Sequence, residues 1–262
     1  MNPSDMRTVV LARRSLDVFY VLDTSGSMAG ASIAALNVAM QNTVEALADA
    51  TARNVNANIK MAVMEFNTHA TWHTPTGPIP VEDYRWDTLR AGGLTAVGEA
   101  LDGLNQKLRR SEFLGDAAGS YLPVIIFMSD GYATDPSVYP EALKAIRKNP
   151  WFASATKVGF ALGDDPDVKM ISEVVGNSKA VIRTTDLDEF SRLITFVSKT
   201  ATVAASTSRV TPGLVTGASL VESIAPGTVV LDDGEYSREF ASVTDPVWSQ
   251  GRVVDDFGVE WI

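Results

Sequence analysis

"DVFYVLDTSGSMAG", residues 17–30, decides how this chain is read. From Val18 to Leu22 it is an unbroken run of β-branched, aromatic and aliphatic side chains. Such a run fits a strand buried on both faces, as in a parallel sheet, rather than one that alternates between core and solvent. The run stops at Asp23, and Thr24, Ser25, Gly26 and Ser27 follow. A tight turn needs the glycine. It does not need Asp23, Ser25 and Ser27 at alternate positions, a spacing that lets three oxygen-bearing side chains point one way while Gly26 makes the bend.

The sequence on the C-terminal side continues the pattern of strand followed by helix. Ile33, Leu36, Met40, Val44 and Leu47 step by three and four, which predicts a helix. "NIKMAVMEFN" (58–67) predicts a strand, and "HATWHT" (69–74) a short edge strand joined to it through Asn67-Thr68. Residues 74–94 are rich in proline and glycine and read as loop. Val97, Leu101, Leu104 and Leu108 form a second helical stripe, and "LPVIIFMS" (122–129) is a second buried strand. Tyr139, Leu143 and Ile146 predict a helix that Asn149-Pro150 should end. "TKVGFALG" (156–163) and "KAVIRT" (179–184) read as strands, with helices around Val168–Val175 and Leu187–Val197. Strands separated by helix-length crossovers predict an α/β fold over residues 15–205, after a lead-in of residues 1–14. Its core is a doubly wound, mostly parallel six-stranded sheet with helices on both faces. In such sheets ligands sit in the loops at the carboxyl ends of the strands.

Composition changes near residue 206. Residues 210–262 carry nine acidic side chains against two basic ones. "TVVLDDGEYSREF" (228–240) alternates around Asp233-Gly234 and reads as a β-hairpin, so residues 206–262 are expected to form an acidic, β-rich C-terminal extension. With Trp248, Phe257 and Trp261 it either completes the domain surface or docks onto a partner. The net charge of −10 argues against binding a nucleic-acid backbone or an anionic membrane through bulk electrostatics. No stretch approaches the ~18 apolar residues of a membrane span. "TVVLA" (8–12) is too short for the apolar part of a signal peptide, and cysteine is absent, so a cytoplasmic protein is expected.

Three loops carry chemistry: "DTSGSM" (23–28), "AGGLTAVGEAL" (91–101) and "SDG" (129–131). They offer Asp23, Ser25, Ser27, Thr95 and Asp130, all hard oxygen donors, with no imidazole or thiolate. That set suits Mg2+ first, with Mn2+ or Ca2+ as alternatives, rather than zinc. Two carboxylates leave the coordination of a divalent ion unfinished, with room for water or for an acidic group from a partner. A helix N-cap turn would also explain Asp23, Ser25 and Ser27 taken alone. His69 and His73 fall on one face of an edge strand about 13 Å apart, too far to share an ion, and are expected to be solvated. "GDDPD" (163–167) lacks the spacing of a calcium loop and reads as a loop ending in a helix cap. "GGLTAVG" lacks the Lys-Ser/Thr ending of a phosphate-binding loop.

Taken together, "DTSGSM", "GGLTAVGEAL" and "MSDG" resemble the metal-ion-dependent adhesion site of the von Willebrand factor A (vWA) family, over roughly residues 15–205. The resemblance implies that Asp23, Ser25, Ser27 and Thr95 hold the ion directly or through water and that Asp130 completes the shell. Leu94 stands where many relatives carry a small residue. Among family members the chain looks most like the stand-alone bacterial vWA proteins of tellurite-resistance clusters. That implies a stress-response setting beside protein kinases and phosphatases. The expected function is a non-enzymatic, metal-dependent protein–protein binding module, whose ion accepts a Glu or Asp from the partner. Met28, Leu94, Tyr132 and Asp135 would form the surrounding rim. A metal-dependent phosphatase or hydrolase with Asp23 as nucleophile is the competing reading. Against it, Ser25 occupies the place of the second Asp of haloacid-dehalogenase-type enzymes, and no lysine or histidine lies in the three loops. A scaffolding subunit acting through its acidic tail is the third.

Overall fold

The computed structural model describes residues 13–54, 56–116, 119–207 and 216–224, together with the backbone of 253–254 and 260–261. Strand β1 runs from Arg14 to Asp23, a short 3-10 turn covers Gly26–Met28, and helix α1 spans Ala31–Arg53. Strands β2 (Ala57–Phe66), β3 (Ala70–Trp72) and β4 (Ile79–Pro80) follow, then α2 (Val97–Lys107) and β5 (Val124–Ser129). The second half comprises α3 (Tyr139–Ile146), α4 (Pro150–Ser154), β6 (Thr156–Leu162), α5 (Val168–Val175), β7 (Val181–Thr184), α6 (Leu187–Thr207) and α7 (Gly217–Ile224).

The sheet has the order β3-β2-β1-β5-β6-β7, with β4 also paired to β2. β1, β2, β5, β6 and β7 are mutually parallel; β3 and β4 run antiparallel to β2. The seventh strand, β4, lies in the stretch the sequence reads as loop. It is two residues long and includes Pro80, so it leaves no periodicity to detect, and it sits where an edge tolerates a missing donor.

Side chains of β1 pass alternately to two cores. Leu16, Val18, Tyr20 and Leu22 join one cluster with Met40, Phe190 and Ile194, under α1, α6 and α7. Phe19 and Val21 join the other with Phe66, Leu101, Phe127 and Ile146, under α2 to α5. This is the doubly wound arrangement, and it explains why β1 and β5 read as continuous apolar runs: neither face meets water. At β1 and β5 the crossovers leave in opposite directions, and the carboxyl ends of these two adjacent strands form the crevice where ligands of open α/β sheets bind.

Two details differ from the sequence reading. Asn149-Pro150 ends α3 but also begins α4. The side-chain Oδ1 of Asn149 accepts from the backbone N–H of Trp151 and Phe152 at 2.9 and 3.4 Å, and Pro150 sits where a missing N–H costs nothing. The last stretch is not purely β: α7 lies within residues 206–262, and its Leu220 and Val221 are buried in the α1/α6 core. The hairpin expected at 228–240 lies outside the described residues. A different pair is present nearer the C-terminus, β8 (Val253–Val254) antiparallel to β9 (Glu260–Trp261). Among the described residues no helix is long and apolar enough to cross a membrane.

Candidate metal centre

Asp23 closes β1, opposite Phe66 of β2, one residue beyond the Leu22–Met128 pair with β5. That register places Ser129 beside it. Asp23 Oδ2 accepts from Ser129 Oγ at 2.5 Å, and Oδ1 accepts from the Ser25 N–H at 2.8 Å. The residue is fully buried. Burial pushes its carboxyl up to about 6, against the pull of the Ser129 and Ser25 hydrogen bonds, and the nearby Asp130 carboxylate adds to the rise.

Above Asp23 the hydroxyls form a chain. Ser25 Oγ lies 3.0 Å from Ser27 Oγ, and Ser27 Oγ donates to Asp130 Oδ1 at 2.7 Å. Asp130 is half-buried, and burial raises its carboxyl while the Ser27 hydroxyl lowers it. These spacings test whether a cation fits. Two oxygens on adjacent corners of an octahedron about 2.1 Å from its centre are ~3 Å apart. Both observed separations match such an edge. Among the described residues no three His, Cys, Asp or Glu side chains converge, so a cation held here relies on hydroxyls as well as on the two carboxylates.

The loop bearing Thr95 is tied down over this turn. The Gly92 N–H donates to Thr24 O at 2.8 Å, and the Gly26 N–H donates to Gly93 O at 3.1 Å. The Leu94 N–H donates to Thr68 Oγ1 at 3.2 Å. Gly93 has φ +81°, and a Cβ there would meet Thr68 Oγ1 at 2.5 Å, so only glycine fits. Thr95 itself is bracketed by Thr134: its N–H donates to Thr134 Oγ1 and its carbonyl accepts from the Thr134 N–H, both at 2.9 Å. Its own hydroxyl makes no hydrogen bond among the described residues, although the residue is only 6% exposed.

Of the expected rim, Leu94 and Tyr132 stand out from the surface, each 56% exposed. Met28 does not belong there. The 3-10 turn rolls its side chain under α1, where it is fully buried in the core. Asp135 is not a rim group either: its Oδ2 accepts from the N–H of Gly98 at 2.7 Å and of Glu99 at 3.3 Å, so it caps the first turn of α2. His69 is exposed beside Glu99, whereas His73 is not solvated as expected; it lies 3.3 Å from Glu65 with one-fifth of its side chain exposed. "GDDPD" ends as expected, with Asp167 Oδ1 accepting from the Met170 N–H at 2.9 Å at the start of α5. Sequence reasoning missed Ser129 and Thr134. Ser129 was within reach, as the residue before Asp130 at the end of a buried strand. Thr134 carries no motif.

No family model matches the sequence, and no curated protein matches it. Solved structures do match the fold. A von Willebrand factor type A protein from Catenulispora acidiphila superposes with a TM-score of 0.51 at 18% identity, covering 71% of this chain and 43% of that one. Proximal thread matrix protein 1 from the mussel byssus, solved with a zinc-occupied MIDAS motif, gives 0.51 at 19% identity over 72% and 46%. The open conformation of the pilus adhesin SpaC from Lactobacillus rhamnosus GG gives 0.58 at 11% identity over 73% and 30%. This chain thus matches less than half the length of each of these proteins. At such identities the likeness concerns architecture: the chain has the vWA-type fold.

Proposed function

We propose that this chain is a non-enzymatic, metal-dependent protein-binding module, in which Ser25, Ser27, Thr95, Asp23 and Asp130 hold a divalent cation directly or through water. The observation that carries this reading is the oxygen chain Ser25–Ser27–Asp130, with separations of 3.0 and 2.7 Å, laid over the buried Asp23. The cation would supply an electrophilic point that accepts a carboxylate oxygen from a partner's Glu or Asp. Asp23 and Asp130 bring the negative charge, the hydroxyls fill neutral positions, and Leu94 and Tyr132 offer apolar contact around the rim. The mussel protein's zinc-occupied motif supports a divalent ion at this place in the fold. The all-oxygen donor set here favours Mg2+ over zinc. The motif resemblance to the tellurite-resistance type supports a cytoplasmic, stress-linked role beside kinases and phosphatases.

Calorimetric titration with Mg2+, Mn2+ and Zn2+ tests the site. One ion should bind wild type saturably, and Asp130→Asn should weaken binding by at least ~10-fold, as expected for losing a charged ligand. At 100 times the dissociation constant the ion adds about 2.7 kcal/mol of stability. For a domain of this size that is a rise in Tm of roughly 5–10 °C. Absence of saturable binding by any of the three ions would overturn the reading. Capture from the host's lysate in Mg2+, in EDTA and with Asp23→Ala then tests the partner; a protein retained in all three would rule out a metal bridge.

A further inference from the structure

We infer that Asn67 and Thr68, in the turn between β2 and β3, are positioning residues that hold the Thr95 loop against the Asp23 loop and so set how tightly the cation binds. This rests on the cation site proposed above. Neither residue is among the proposed ligands; both act on the backbone that carries one. The Leu94 N–H donates to Thr68 Oγ1 at 3.2 Å, and the Ala96 N–H donates to the Asn67 carbonyl oxygen at 2.8 Å. Between them the Thr95 N–H donates to Thr134 Oγ1 at 2.9 Å, so three successive amides are fixed by three separate partners. The group held ready by this clamp is the Thr95 hydroxyl, which makes no hydrogen bond among the described residues although the residue is only 6% exposed.

The same turn reaches the first loop. Asn67 Nδ2 donates to Thr24 Oγ1 at 3.2 Å, and the amide is kept that way round because its Oδ1 accepts from the His69 N–H at 3.3 Å. Asn67 therefore grips Thr24, between Asp23 and Ser25, with its side chain, and Ala96, next to Thr95, with its carbonyl. One residue thus fixes the separation of two ligand loops. The chemistry of the donors explains the need. A neutral hydroxyl attracts a divalent ion far less than a carboxylate does, so it adds affinity only where the fold has already placed it. Thr68 is exposed. Substitutions at exposed positions generally leave stability almost unchanged, so its effect on the ion can be read apart from any effect on folding.

The test titrates the full chain by calorimetry with whichever of Mg2+, Mn2+ and Zn2+ wild type binds most tightly, and unfolds it with urea in EDTA. Thr68→Val keeps the shape and removes the acceptor. It should weaken ion binding by about 10-fold or more, as for other supporting bonds at metal sites, and leave the urea midpoint unchanged. Thr68→Ser keeps the hydroxyl and should bind as wild type. Asn67→Ala should weaken ion binding as well. In metal-free hydrogen exchange, the Leu94 amide should exchange faster in Thr68→Val while the amides of β2 and β3 keep their rates. Wild-type affinity in Thr68→Val or in Asn67→Ala overturns the role of that residue while the cation site stands. Equal weakening in Thr68→Ser and Thr68→Val overturns the hydroxyl as the agent. A urea midpoint that falls together with the affinity in Thr68→Val makes the turn a support of the fold and overturns the inference. No saturable binding of any of the three ions by wild type overturns the cation site, and this inference with it.

Discussion

Asp23 is a carboxylate the fold would rather keep protonated: it is fully buried, its carboxyl is raised to about 6, and no basic side chain contributes to its environment. Ser129 and the Ser25 N–H hold it in place without neutralising it. A cation held as proposed would offset the cost of such a group, which is the ground for reading this residue as functional and not as a turn cap. The same turn depends on Gly93. Gly93→Ala forces a side chain into a left-handed backbone and against Thr68, so it should cost ~1–3 kcal/mol in urea denaturation and also weaken Mg2+ binding by displacing Thr95. A loss of stability with unchanged ion affinity would mean that this loop does not position a ligand. At this scale the sequence was legible where spacing carries the information: Asp23, Ser25, Ser27 and Asp130 do converge. It was illegible where orientation decides. Met28 follows the same loop, but the 3-10 turn buries it, and Asp135 was drawn off by the free N–H groups of α2.

Among the elements, β1 carries a second buried acid on its N-terminal half. Asp17 is 2% exposed and accepts from Ser15 Oγ at 2.5 Å, while Lys60 on β2 pairs with Asp116 at 2.6 Å nearby. Burial dominates and raises its carboxyl from 3.8 to about 6, with Ser15 and Lys60 pulling the other way. A folded-state value above the unfolded one means that the folded chain holds the proton more tightly. Asp17 therefore favours folding below pH ~4, and that contribution is lost as pH rises through about 6. Asp17→Asn, which can still accept from Ser15, should stabilise the protein by roughly 2–3 kcal/mol at pH 7.5 and leave it little changed at pH 4, in urea melts at the two pH values. An equal effect at both would show that Asp17 is not destabilised by its charge. The strands and helices themselves were mostly readable, because β1 and β5 are apolar on both faces and the helical stripes keep their period. What escaped was short: β4 has two residues, and α4 needs the Asn149 cap to exist.

Across the whole molecule, the domain extends beyond the point where composition changes. Leu220 and Val221 of α7 complete the core under α6, and a Cβ on Gly217 would collide with the Lys157 carbonyl at the start of β6. Leu220→Ala should cost ~2–4 kcal/mol by the urea midpoint, as for other core truncations. A change below about 0.5 kcal/mol, the range of surface substitutions, would detach α7 from the core. Acidity and a lack of periodicity hid this helix: eight residues are too few to announce a face. The order of the strands carries one more consequence. Ser27 and Asp130 meet across 103 residues, and Asp130 reaches its place only once β5 has paired with β1. A ribosome adding ~5–20 residues per second needs on the order of 5–20 s to traverse that interval. During it the nascent chain displays "DTSGS" with no opposing carboxylate. The crevice would thus serve as a built-in proof of completion: a partner that reads the proposed cation there would recognise only a polypeptide whose sheet has already closed around β1.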